Sequence, residues 1–298
     1  MLLADEMVCV ATTGDWGGEG AVWHPEEQAV FWVDNRRNLV HRFLPRDASV
    51  RTWFFDETVA ALALTADPGT LCVVLGSGLM HWTPAADRRQ AYGPKFESWP
   101  ITRLNEAGVD PKGRLWLGSM GNDRRPDGSR REMPTDAGAL FCLESHDRLT
   151  VKVSGIGVAN TIAWSPDGDS FYSADTLIGD IRVYAYDSAT GEIDAGRDFF
   201  KDFPRGRPDG SAVDSEGSLW NCRYGGSCVV RVSPQGAVQG IFECPSLNVT
   251  SCVFGGDDLS TLYVTTAMPE TSPPGRFDGG LFALTTGVSG QRPRRVTL

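Results

Sequence analysis

Asp110-Pro111-Lys112-Gly113-Arg114-Leu115-Trp116-Leu117 is a tight turn that runs straight into an apolar, aromatic strand, and it decides the fold because it recurs. The same turn-then-strand unit stands at 25–33, 67–74, 166–172, 214–220 and 256–264. Asp-Pro and Asp-Gly turns between runs of aromatic and β-branched residues are hairpin signals. Each copy is followed by a second short β-rich run, at 39–43, 79–82, 139–143, 181–186, 228–232 and 281–284. The turns lie about 40 to 57 residues apart, the length of a four-stranded propeller blade.

The expected fold is therefore all-β: a six-bladed β-propeller of four-stranded antiparallel blades around a central channel, one domain over residues 1–298. A sandwich would not repeat sixfold, and a β-helix has a much shorter period. Sustained apolar stripes of helical period are missing, so helices are expected to be few and short. A closed ring has no natural interior boundary, which argues against two domains.

Composition narrows the partners. A net charge of −10 speaks against a phosphate-backbone footprint, so nucleic acid is not expected as a partner. Neither a signal-like start nor an apolar stretch of membrane-spanning length is present, so no membrane association is expected and the predicted compartment is cytoplasmic. Seven cysteines, an odd number lying mostly inside strand patterns, read as buried free thiols in that reducing compartment.

The repeat also makes a site legible. With His24, Asp110, Ser165 and Asp214 aligned as turn positions, Glu19, Asn105, Asn160 and Asp209 share one address five residues earlier. The same offset gives Leu62 in the second repeat and Thr250 in the sixth. The first strand of each blade lines a propeller's channel, so the four oxygen-bearing side chains are expected to face one funnel. Two carboxylates and two carboxamides are costly to bury there unpaired, and a divalent cation removes that cost. Hard oxygen donors suit Ca²⁺, Mg²⁺ or Mn²⁺, and Zn²⁺ or Fe²⁺ can accept such a site. The competing reading has these residues capping strand starts or bonding loop backbones. Arg103 and Arg207 stand two residues before Asn105 and Asp209, and Asn248 two before Thr250. Residues two apart share a strand face, and guanidinium groups suit carbonyl, hydroxyl or oxyanion oxygens unless a nearby acid claims them.

These residues, over essentially the whole chain, resemble the senescence-marker, gluconolactonase and luciferin-regenerating (regucalcin-like) family. The marks are Gly18-Glu19-Gly20-Ala21-Val22-Trp23, Arg103-Leu104-Asn105-Glu106, Asn160-Thr161-Ile162-Ala163-Trp164, Pro208-Asp209-Gly210-Ser211, Phe254-Gly255-Gly256 and Gly279-Gly280-Leu281-Phe282. The resemblance implies one divalent metal held by Glu19, Asn160 and Asp209. It implies substrate contacts from Arg103 and Asn105, with Asp123 reading a substrate hydroxyl. The chain departs from the family's pattern where Ala21 replaces a proline and Glu106 replaces an aspartate. The stretches 122–131 and 268–278 are candidate rim or lid segments.

The function expected is metal-dependent hydrolysis of a sugar-derived lactone to the aldonic acid by a monomer or small homo-oligomer, with Asp209 as general base as well as ligand. Its rivals are hydrolysis of another ester and a metal-binding regulatory or ligand-binding protein without turnover. His24, His41, His81 and His146 fall outside the funnel register, which disfavours covalent catalysis.

Overall fold

A computed structural model describes residues 6–125 and 129–297. It is a ring of six antiparallel sheets, a six-bladed β-propeller, with no helix among the described residues. The innermost strands are Gly18–His24, Val59–Thr65, Thr102–Val109, Ala159–Trp164, Arg207–Val213 and Asn248–Gly255, and each blade runs outward from there by consecutive hairpins.

The recurring turns follow from their first residue. The Asp110 carboxylate accepts the backbone N–H of Lys112 at 2.7 Å and of Arg114 at 3.0 Å; Asp214 does the same for Glu216 at 3.0 Å and Ser218 at 2.9 Å. A short acidic side chain that bonds its own backbone two residues on closes such a turn. The fourth residue, Gly113 or Gly217, then adopts φ of +87° or +86°, where a side chain would be strained. In the fifth blade Asp214 also accepts the Trp220 indole N–H at 2.9 Å and the Arg231 guanidinium at 2.7 Å, so the turn anchors the blade's outer strands.

Packing follows from the alternation of strand side chains. In Ala29–Asp34, Phe31 and Val33 join the core shared with the second blade, whereas Val30 and Trp32 join the core shared with the sixth. Among the described residues the apolar core divides into six clusters, one at each junction between neighbouring blades. The channel is lined by both apolar side chains, such as Leu62 and Ile162, and polar ones, such as Glu106 and Ser211.

Two connections go beyond the local repeat. Val8–Ala11 supplies the outer strand of the sixth blade, pairing with Leu281–Thr285 and closing the ring. Arg295–Val296 pairs in parallel with the inner strand of the second blade, opposite Leu64 and Thr65. Residues 291–294 pass beneath the channel and line a cavity of about 210 Å³ at the end where the inner strands finish. All seven cysteines are unpaired and six are buried; burial pushes the Cys72, Cys142 and Cys244 thiols up to about 12.

Candidate active site in the channel

Every inner strand breaks register where the candidate residues lie. The breaks fall between Glu19 and Val22, Val59 and Ala61, Leu104 and Glu106, Asn160 and Ala163, Pro208 and Ser211, and Val249 and Ser251. A β-bulge frees a residue from the ladder and re-aims its side chain, and bulges are frequent beside active sites. Here they turn consecutive residues toward the axis. In the fourth blade the bulge holds Thr161 at φ +53°, an unfavourable conformation for a β-branched residue. Its hydroxyl donates to the Asp209 carbonyl oxygen at 2.5 Å and lies 2.9 Å from the Ser211 hydroxyl, tying the fourth blade to the fifth.

One sequence assignment changes. In the second blade the turn position belongs to Thr65, whose hydroxyl donates to the Thr70 carbonyl oxygen at 2.8 Å. Asp67 lies inside the turn and accepts from the Gly69 N–H at 3.0 Å. Five residues before Thr65 stands Ala60, so Ala60 rather than Leu62 is the second blade's counterpart of Asn105. Leu62 pairs with Val73 and lines the deeper channel.

The structure brings Arg103, Asn105 and Asn160 into one hydrogen-bonded chain. Buried Arg103 donates from Nη1 to the Asn105 side-chain oxygen at 2.9 Å and to the Leu104 carbonyl oxygen at 3.1 Å. The Asn105 amide donates to the Asn160 side-chain oxygen at 3.0 Å, and the Asn160 amide donates to the Thr176 hydroxyl at 2.9 Å. That hydroxyl donates to the Pro208 carbonyl oxygen at 2.8 Å, immediately before Asp209. Glu19 accepts from the Asn35 amide at 2.9 Å. Asp123 stands at the rim, its Oδ1 4.0 Å from Arg103 Nε. Arg207 is exposed, unlike Arg103, so the two arginines do not form a symmetrical pair.

The electrostatics are those of an acid-rich pocket in which Asp209 is buried and Glu19 and Glu106 are half-buried. Burial is the main cause that raises the Glu19 carboxyl to about 7, against the lowering influence of Arg103, Arg36 and the Asn35 bond. Burial likewise holds Asp209 well above the usual carboxylate range, reinforced by the charges of Glu19 and Glu106. Half-buried Glu106 is a third channel acid, raised to about 8 by desolvation despite the Ala107 N–H that bonds it at 2.9 Å. It lines the channel with Leu62, Ile162 and Ser211. Strict strand alternation turns Glu106 away from the face that holds Asn105; the bulge at Asn105 overrides it.

Among the described residues no group of three or more His, Cys, Asp or Glu side chains is arranged as a metal site. The candidate set is instead two carboxylates, Glu19 and Asp209, with the carboxamide of Asn160. These residues fit a hard divalent cation: the donors are all oxygen, and two acids whose ionisation is opposed by desolvation, in Asp209 also by the charge of Glu19, are the groups a cation would relieve.

The sequence model of the SMP-30/gluconolactonase/LRE-like region matches residues 17–268. A pentonolactonase, XacC, of Haloferax volcanii is 35% identical over 84% of this chain and 81% of its own length. A 6-deoxy-6-sulfogluconolactonase of Pseudomonas putida is 31% identical over 96% of this chain and 97% of its own. Among solved structures, a calcium-binding protein, regucalcin, from Agrobacterium tumefaciens superposes with a TM-score of 0.89 at 26% identity, covering 98% of this chain and 97% of that one. With the family's region spanning most of the propeller and sugar lactonases among its relatives, the chain belongs to the SMP-30/gluconolactonase/LRE-like family.

Proposed function

We propose that the protein is a divalent-metal-dependent lactonase that opens a sugar-derived aldonolactone to the aldonic acid. The observation that carries this reading is the pair of channel acids, half-buried Glu19 and buried Asp209, beside the Arg103–Asn105–Asn160 hydrogen-bond chain. Glu19, Asn160 and Asp209 would hold the cation, and a cation there would supply Lewis-acid polarisation of a carbonyl and of water.

The chain's own groups account for the remaining chemistry. Arg103, oriented by Asn105 and Leu104, presents guanidinium N–H groups to substrate oxygens, and Asp123 offers a carboxylate for a hydroxyl at the rim. Water attacks the lactone carbonyl carbon and passes a proton to Asp209. The ring C–O bond then breaks, and that proton returns to the departing ring oxygen. A carboxylate positioned in the channel can serve both halves of this exchange, as proton acceptor and then donor.

Ion binding without turnover is the second reading, favoured by the calcium-binding description of the Agrobacterium regucalcin. The Arg103–Asn105 pair favours the enzyme, because an ion buffer needs no substrate clamp. The test is ring opening of neutral pentono- and hexonolactones, followed by acid release, with wild type and Asp209→Asn at matched metal occupancy. Wild type is expected to open at least one lactone and the variant to lose about 10²-fold or more in kcat. No opening of any lactone by metal-loaded wild type overturns the proposal, and an unimpaired variant removes Asp209 from the role of base.

A further inference from the structure

The cavity beneath the channel is a second site that catalysis does not use. Its volume is about 210 Å³, and none of Glu19, Arg103, Asn105, Asn160 or Asp209 lines it. Its walls are the ends of the inner strands, where Leu62, Ile162, Val213 and Phe254 border a space kept open by small residues such as Ala63 and Ala212. Its floor is the chain from Gln291 to Arg294, which crosses from the fifth blade to the second. Backbone bonds hold both ends of this strap: the Ser215 N–H donates to the Ser289 carbonyl oxygen at 2.8 Å, and the Thr297 N–H to the Gly113 carbonyl oxygen at 3.1 Å. Between them side chains tie it down. Gln291 Nε2 donates to the Trp164 carbonyl oxygen at 2.9 Å, and Arg294 Nη2 to the Ser165 carbonyl oxygen at 3.4 Å.

The strap gives this apolar cavity one polar wall. Arg294 lines it, and the bonds it makes, to Ser165 and to the Gln291 side-chain oxygen at 2.9 Å, both come from Nη2; its guanidinium lies 5.8 Å from the Trp164 ring. Arg292 lines it too, is exposed, and makes no side-chain hydrogen bond or ion pair among the described residues. Desolvation lowers the Arg294 guanidinium from its ordinary value, and Asp110, the acid that opposes this, already accepts from Arg114 and from the Tyr186 hydroxyl, each at 2.5 Å. A half-buried guanidinium gains most from a charged acceptor, and its planar fork matches a carboxylate. The remaining walls suit an apolar body. An apolar cavity of about 150 Å³ holds benzene, so this one has room for such a ring with a carboxylate at the arginine end.

We propose that this cavity is a binding site for an aromatic monocarboxylate of benzoate size, its ring among Ile162, Val213 and Phe254 and its carboxylate on Arg292 and Arg294. The site is separate from the channel acids, so the inference stands whether or not the protein opens lactones. Its test is a ligand-observed NMR titration of the whole metal-loaded chain with sodium benzoate and with benzyl alcohol, at fixed ionic strength. Benzoate is expected to fill one saturable site with a Kd of about 1 mM or tighter, and benzyl alcohol to bind about tenfold more weakly. Arg292→Met and Arg294→Met are each expected to weaken benzoate about tenfold and to leave benzyl alcohol unmoved. Chelator-stripped protein is expected to bind benzoate as tightly as metal-loaded protein, which separates this site from a carboxylate resting on the channel's metal. Arg292 is exposed, so its replacement keeps the test valid even where loss of Arg294 disturbs the strap. Absence of saturable binding, equal affinity for the two probes, benzoate affinity unmoved in Arg292→Met, or binding lost with the metal each overturns the inference.

Discussion

Glu106 separates what single residues disclose from what their neighbours impose. Its carboxyl is raised to about 8 from an ordinary value of 4.5, by burial first and by Glu19 second. In metal-stripped protein the sign follows directly. Below about pH 4.5 the group is protonated folded or unfolded; between there and about pH 8 only the unfolded chain releases the proton, so stability falls as pH rises. Glu106→Gln is therefore expected to stabilise the stripped protein at pH 8 to 9 by a few kcal/mol, on the order of 1.4 kcal/mol for each tenfold weakening of the acid, with little effect near pH 4. Thermal melts across that range check it; a variant whose melting temperature tracks wild type at every pH would contradict it. The acids at Glu19 and Asp209 were legible from the repeat because register alone aligned them. Glu106 was visible only as a departure from the family's pattern, since its inward turn depends on a bulge that leaves no mark in residue type.

At the level of strands and turns, the recurring Asp-Pro and Asp-Gly units were legible because each closes with hydrogen bonds from its own backbone. The second blade misled the count: its Asp67 sits inside the turn rather than at its start, which shifted the aligned residue from Ala60 to Leu62. The closing strand Val8–Ala11 was not legible at all. Its partner lies at the other end of the chain, and local periodicity says nothing about which edge a strand will complete. Removing residues 1–11 would leave the sixth blade with three strands and expose the edge of Leu281–Thr285. Loss of several kcal/mol is expected, on the order of 10 °C in Tm for a chain of this size. Calorimetry of the truncated protein is the check, and an unchanged Tm would show that this strand does not hold the ring closed.

Across the propeller as a body, six apolar junctions hold the blades around a channel lined by both apolar and acidic side chains, where desolvation makes the acids costly to ionise without a counter-charge. At the rim Glu270 of the sixth blade is ion-paired with Arg36 of the first and Arg130 of the third, joining loops from separate blades around the entrance. Neither feature belongs to one blade: the repeat aligned Glu19, Asn105, Asn160 and Asp209 at one address, whereas the ion pairs at the mouth join loops that no repeat aligns. The proposed chemistry depends above all on the channel's acids working through a divalent cation. Lactone ring opening by chelator-stripped protein, before and after refilling with single divalent metals, measures that dependence. Stripping is expected to abolish turnover and at least one divalent ion to restore it; undiminished turnover by the stripped protein would show that the acids work without a metal.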